Sequence, residues 1–203
     1  MSVVGLRLKK ELEGTATIGL EETKTKKMIA TTRSFDKMYT DYESIKERVA
    51  TFAISCAEKL RRQGSHCNMI MVFIRTNGFR KDLPQYSRNI VVNTQCPTNS
   101  SIELTKYAIQ GLKHIYQCGY SYKKAGVIVM GLAPADQKQL NLFKETNPKH
   151  KPLMEMVDRL NQVYGNNKIK FASQSPGRQW KMKQEKRSPR YTTNIHEIIK
   201  TAR

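Results

Sequence analysis

The sequence predicts an α+β domain, a four-stranded sheet with two helices on one face in the order β-α-β-β-α-β, followed by a small α+β C-terminal domain. Three observations carry this prediction. Strand-like runs of β-branched residues alternate with stretches whose apolar residues recur every three or four positions. Clusters of Gly, Pro, Asn and Asp punctuate them. The 203 residues, 38% of them apolar, suffice for one ordinary core and an appendage.

Residues 1–25 start with a short amphipathic piece (Val4, Leu6, Leu12) and run into the polar stretch Glu21 to Lys27, the character of a linker. From Met28 to Phe35 the chain alternates around Ile29, Thr31 and Thr32, the pattern of a half-buried strand. Ile45, Val49, Phe52, Cys56 and Leu60 fall on one stripe of a long helix that Asp41 caps and Gly64 ends. Asn68 to Thr76 is continuously apolar through Met69, Ile70, Met71, Val72, Phe73 and Ile74, which predicts a central, well-covered strand. Asn77 and Gly78 offer a turn, and Arg88 to Thr94 forms a third strand. Asn99 and Ser100 cap a second helix carrying Leu104, Ala108, Leu112 and Ile115, which stops near Gly119. A fourth strand runs from Tyr122 to Leu132.

The character changes at Ala133, where polar residues surround the apolar island Leu140-Asn141-Leu142-Phe143 and a Pro- and Lys-rich stretch follows. A boundary is expected here. Leu153, Met156, Val157, Leu160 and Val163 then define a helix closed by Gly165, and Ile169 with Phe171 suggests a short strand. Basic residues crowd around the lone Trp180 from Arg178 to Arg190, with too little apolar content for an independent core. Trp180 is read first as a packing anchor and second as a surface on which a base stacks.

Charge narrows the function. There are 36 Lys and Arg against 17 Asp and Glu, a net charge of +19. That is far beyond what solubility requires, and a polyanionic partner accounts for it. No run approaches the ~20 apolar residues of a membrane span and no secretory leader is recognisable, so a cytoplasmic location without membrane contact is expected. Cys56, Cys67, Cys96 and Cys118 form no CxxC pair and are expected as reduced core thiols. No phosphate-binding loop, nucleophile elbow or paired carboxylate set occurs, so no catalytic residue and no metal site is predicted.

Two groups of binding residues stand out. Basic residues in or beside the strands, Arg33, Arg75, Arg88, Lys123 and Lys124, are available to the open sheet face. Gln139-Leu140-Asn141-Leu142-Phe143 sets an amide that both donates and accepts ahead of large apolar side chains, in a segment too polar to bury them. That composition suits docking into a partner's pocket. The alternative is that Leu140 and Phe143 cover the C-terminal unit.

In combination, Arg33-Ser34-Phe35, Ala57-Glu58-Lys59-Leu60-Arg61, Lys124-Ala125-Gly126-Val127, Gln139 to Phe143, Gln179-Trp180-Lys181-Met182-Lys183 and Ser188-Pro189-Arg190-Tyr191-Thr192-Thr193 resemble the C-terminal part of UmuC-type, SOS-induced translesion DNA polymerases of the Y family. The resemblance implies four parts. Residues 1–25 would end the thumb and its linker. Residues 26–132 would be the little finger, which lays its sheet along DNA through Lys26, Lys27, Arg33, Ser34, Arg75, Thr76, Arg88, Lys123 and Lys124. Residues 133–151 would carry the peptide that docks on the β sliding clamp through Gln139, Leu140, Leu142 and Phe143. Residues 152–203 would be the small basic C-terminal domain. It further implies primer-template DNA as a partner, with the processed UmuD dimer and RecA as additional candidates. The palm and fingers have no counterpart in these residues, so no polymerase activity is expected of the chain itself and Mg²⁺ belongs only to the parent polymerase. The competing readings are a free-standing basic nucleic-acid-binding module and a small nuclease.

Overall fold

The computed structural model describes residues 2–17, 19, 25–137, 147–165, 168–174 and 187–199. Four strands, β1 (Ile29–Tyr39), β2 (Ser65–Thr76), β3 (Ser87–Thr98) and β4 (Tyr122–Pro134), form one antiparallel sheet in the spatial order β1-β4-β2-β3. Helix α1 (Val3–Leu12) precedes them, and α2 (Tyr42–Arg62) and α3 (Ser101–Ile115) are the two crossovers. The strands that α2 joins, β1 and β2, run parallel with β4 between them. Those that α3 joins, β3 and β4, run parallel with β2 between them. The predicted element order is therefore realised as two interleaved split units with β2 and β4 at the centre.

The caps behave as short-range chemistry dictates. Asp41 accepts a hydrogen bond from the Ser44 N–H at 2.8 Å and starts α2, while Gly64, at φ 68°, takes the left-handed turn that ends it. The α2 stripe Ile45, Val49, Phe52, Ala53, Cys56 and Leu60 is buried against the sheet. With it lie Leu104, Ala108 and Leu112 of α3 and the sheet residues Ile70, Val72, Ile74, Val127 and Val129. Gly111 of α3 lets that helix approach closely, since a Cβ there would sit 3.2 Å from Ile90 and Val92. Among the described residues no helix packs extensively against the opposite face.

The thiols divide. Cys56 and Cys67 lie in the core, where burial raises the pKa of the former and pushes that of the latter up to about 12. Cys96 is half-buried and Cys118 exposed, which corrects the expectation of four core thiols.

The C-terminal region departs from its sequence reading in two ways. Helix α4 (His150–Tyr164) forms, but Met154 is its buried residue, while Leu153, Met156 and Val163 of the expected stripe are exposed. Its docking face is set by polar groups. Asp158 makes a bidentate pair with Arg61, at 2.6 Å to Nε and 2.7 Å to Nη2. The His150 Nδ1 lies 3.2 Å from Glu103 and 3.4 Å from Ser100. Ile169 and Phe171 do not pair as a strand. The Asn161 side chain instead grips the Ile169 backbone, accepting from its N–H at 2.8 Å and donating to its carbonyl at 3.1 Å. A 3-10 helix, Ile195–Glu197, follows the turn at residues 191–193.

One packing constraint is directly testable. A Cβ on Gly126 would lie 2.5 Å from the Phe73 ring and 2.5 Å from Thr32 Cγ2, so Phe73 can cross β4 only over a glycine. Gly126→Ala should destabilise the domain by about 1–3 kcal/mol, as overpacking does. The expected readout is a lower urea midpoint at an unchanged denaturant slope.

Candidate nucleic-acid interface

Because side chains alternate across a strand and directly opposed residues share a face, the register assigns every sheet residue to a side. On the helix side run three rows: Ile29-Val129-Ile70-Val92, Thr31-Val127-Val72-Ile90 and Arg33-Ala125-Ile74-Arg88. On the open side run Ala30-Ile128-Met71-Val91, Thr32-Gly126-Phe73-Asn89 and Ser34-Lys124-Arg75-Ser87. The middle of the open face is thus uncharged, with Val91 exposed and Phe73 buried across Gly126. Its cations gather at one end.

That end holds most of the predicted contacts. Lys124 and Arg75 stand directly opposite one another on the two central strands, flanked by Ser34 and Ser87 on the edges. The Arg75 guanidinium lies 5.3 Å from the Phe73 ring centre, which holds it against the sheet. Arg33 and Arg88 belong to the adjacent row and sit on the helix side of the two edge strands, both exposed. They border the open face rather than lie within it. Two like charges directly opposed are unfavourable for a sheet. A phosphate between them turns that repulsion into attraction.

The other predicted residues are placed differently. The Lys123 amino group donates to the Asp36 carbonyl at 3.0 Å, closing the bulge where β1 and β4 lose register between Ser34 and Tyr39. Thr76 is a hairpin fastener, its hydroxyl donating to Gln85 Oε1 at 2.9 Å and accepting from the Tyr86 N–H at 3.0 Å. Lys26 and Lys27 precede β1 and so lie at the far end of the sheet, where the Gln63 amide holds the Lys26 carbonyl. The length of β1 to Ser34 puts them on the order of 20 Å from the cationic row. Gln139, Leu140, Leu142 and Phe143 lie outside the described residues, as does Trp180.

Sequence reasoning missed the scaffold beneath the cationic end. Tyr42, Tyr86, Tyr116, Tyr120 and Tyr122 form a connected aromatic cluster with centroid separations of 4.7 to 5.9 Å. Tyr86 donates to the Ile115 carbonyl at 2.6 Å and Tyr116 to the Thr40 carbonyl at 2.7 Å. The cluster thereby ties the end of α3 and the β1–α2 junction to the sheet. Tyr122 is fully buried and its hydroxyl donates to the Gln117 carbonyl at 2.8 Å; burial pushes its pKa up to about 12. Arg48 adds a second brace, its guanidinium 3.8 Å from the Tyr39 ring centre and bonded to the Ser44 carbonyl at 2.6 Å. The signal in the sequence was the crowding of tyrosines in the loops and at the element ends beside them, which apolar periodicity does not score. Among the described residues no three His, Cys, Asp or Glu side chains converge as a metal-binding group, and no helix is long and apolar enough to cross a membrane.

The opposed cations give a stability prediction. Lys124→Glu would set a carboxylate across from Arg75 and should stabilise the fold by roughly 0.2–1 kcal/mol. The gain, read from urea denaturation at low ionic strength, should shrink at 1 M salt.

The family model described as the impB/mucB/samB family C-terminal domain matches residues 26–142, and a domain of unknown function, DUF4113, matches residues 151–200. Protein UmuC of Salmonella typhimurium (strain LT2) is 36% identical over 202 residues, which are 98% of this chain and 48% of that protein. Protein ImpB of Salmonella typhimurium is 36% identical over 200 residues, 97% of this chain and 47% of its own length. Protein MucB of Escherichia coli is 32% identical over 199 residues, again 97% and 47%. The chain spans about half the length of these curated relatives.

Proposed function

The chain belongs to the impB/mucB/samB family, and from that premise we propose that it is the DNA-gripping, non-catalytic C-terminal portion of a UmuC-like translesion DNA polymerase. In this reading the cationic end of the open sheet holds the phosphate backbone of a primer-template duplex. The observation that carries it is the row Ser34-Lys124-Arg75-Ser87, in which two cations oppose each other without an acid between them. Hydroxyl and cationic side chains in a line, on a rigid sheet, are what sequence-independent phosphate contact requires. A polymerase that copies damaged templates cannot depend on reading bases, so a grip through phosphate alone suits the task.

The second element is tethering. Gln139 to Phe143 is read as the peptide that docks on the β sliding clamp, Leu142 and Phe143 filling an apolar pocket while Gln139 fixes register. Each anchor, fully buried, contributes roughly 1.5–3 kcal/mol before ordering costs. A clamp that encircles DNA makes the weak backbone contact intramolecular and raises its effective concentration. The processed UmuD dimer and RecA are proposed as partners of the C-terminal residues on the resemblance alone.

Two measurements test these parts separately. Fluorescence anisotropy with duplexes of unrelated sequence should give similar affinities that fall steeply with salt. Arg75→Ala with Lys124→Ala should lower the log-log salt slope by about 1.8, or 0.9 for each phosphate that is no longer neutralised; a slope unchanged by the double variant counts against this interface. Leu142→Ala with Phe143→Ala should abolish binding to the cognate clamp in calorimetry while duplex affinity stays the same, and clamp binding that survives would refute the peptide assignment.

A further inference from the structure

Beyond the cationic row, β2 and β3 continue into the loop of residues 77–86, which is more ordered than a surface connection needs to be. The Gln85 amide shares its hydrogens among the carbonyl oxygens of Asn77 at 3.2 Å, Arg80 at 2.8 Å and Leu83 at 3.0 Å. The Asn77 side chain accepts from the Phe79 N–H at 3.2 Å, and the Asn77 carbonyl from the Arg80 N–H at 3.0 Å. Thr76 locks the base of the loop to Gln85 and Tyr86. At the tip of this braced turn stands Phe79, 96% exposed.

A large apolar ring held fully in water by a rigid loop contributes nothing to the core. Its surroundings show what it suits. Lys81 of the same loop is exposed, and the loop's acid, Asp82, is occupied by the Arg80 guanidinium through hydrogen bonds of 2.8 and 2.6 Å. No carboxylate on the loop is therefore left to repel a phosphate. Arg75 and Arg88 lie at the strand ends from which the loop springs, and Lys124 of β4 stands opposite Arg75.

We propose that Phe79 is a stacking platform for an unpaired nucleobase, and that the loop of residues 77–86 engages single-stranded nucleic acid next to the duplex held by the sheet. This rests on the backbone-gripping reading above and adds to it a second substrate form. An aromatic face flanked by cations is the device by which proteins hold single strands without reading sequence, because every base offers a π-face and only unpaired bases leave it uncovered. Within a continuous duplex the bases are stacked on one another, and the ring has nothing to receive.

The experiment uses the full 203-residue chain with two probes: a fluorescein-labelled oligo-dT of about 12 nucleotides, and a relaxed, covalently closed circular duplex, which has neither ends nor unpaired bases. Phe79→Ala should weaken oligo-dT binding by roughly tenfold, on the order of one base–aromatic stack, and leave circular duplex binding within about twofold. Phe79→Trp should restore oligo-dT affinity and add an emission, relative to the unsubstituted chain, that the oligonucleotide quenches. Unchanged oligo-dT binding by Phe79→Ala overturns the inference alone and leaves the ring as an anchor for a protein surface. Equal losses on both probes also overturn it, since the ring would then act through the hairpin's shape. An unsubstituted chain that binds neither probe overturns the backbone reading and this inference together.

Discussion

The register of β2 against β4 is the constraint on which the rest depends. Ile70, Val72 and Ile74 must face α2 and α3 together with Val127 and Val129, because that face is the core. A slip of one residue would turn all of them to water. With the core face fixed, alternation leaves Arg75 no place but opposite Lys124 on the other side. The hydrophobic effect thus imposes an electrostatic arrangement that charges alone would avoid. Such a surface is pre-organised for an anion, since no rearrangement is needed to bring the cations together.

Polar chemistry fixes what burial leaves loose. The tyrosine cluster binds loop carbonyls at Thr40, Ile115 and Gln117, so the segments around the cationic end are held by directional bonds as well as by ring packing. At the opposite end, α4 is attached by His150, Met154 and Asp158, spaced four residues apart on one face. Arg61 also donates to the Asn99 carbonyl at 2.7 Å, so Asp158 completes a guanidinium already anchored in the sheet domain. Its side chain is only 11% exposed, and pairing there counts for more than at the open surface.

How far the sequence could be read follows from which force decides each feature. The strands, both crossover helices, the Asp41 cap and the Gly64 stop were legible because burial and short-range capping set them, and both leave periodic or local marks. The spatial order β1-β4-β2-β3 was not, since periodicity does not say which strands are neighbours. The face of α4 was misread for a related reason. A count of apolar spacings selects Leu153, Met156 and Val163, whereas the contacts of Asp158 with Arg61 and of His150 with Glu103 select Met154. The partners of those pairs lie 97 and 47 residues away in the chain. The cationic residues were named as one set, yet the fold separates Lys26 and Lys27 from Lys124 and Arg75 by the length of a strand.

That separation bears on how the proposed grip works. The two cations of this row, Lys124 and Arg75, stand on neighbouring central strands about 4.8 Å apart, so they meet a phosphate backbone over a short path. Phosphates along one DNA strand are themselves spaced by a few ångströms, so such a row neutralises only a few of them and the contact alone is weak. Weakness is compatible with the proposed task, because a grip that must let the duplex advance by one base pair at a time cannot also be long-lived. In the proposed reading, residence near the primer end comes from the tether, which supplies concentration without adding friction along the duplex. A sheet with a cationic end and an uncharged middle is therefore better suited to this division of labour than one charged over its whole face, which would hold DNA tightly and translocate poorly.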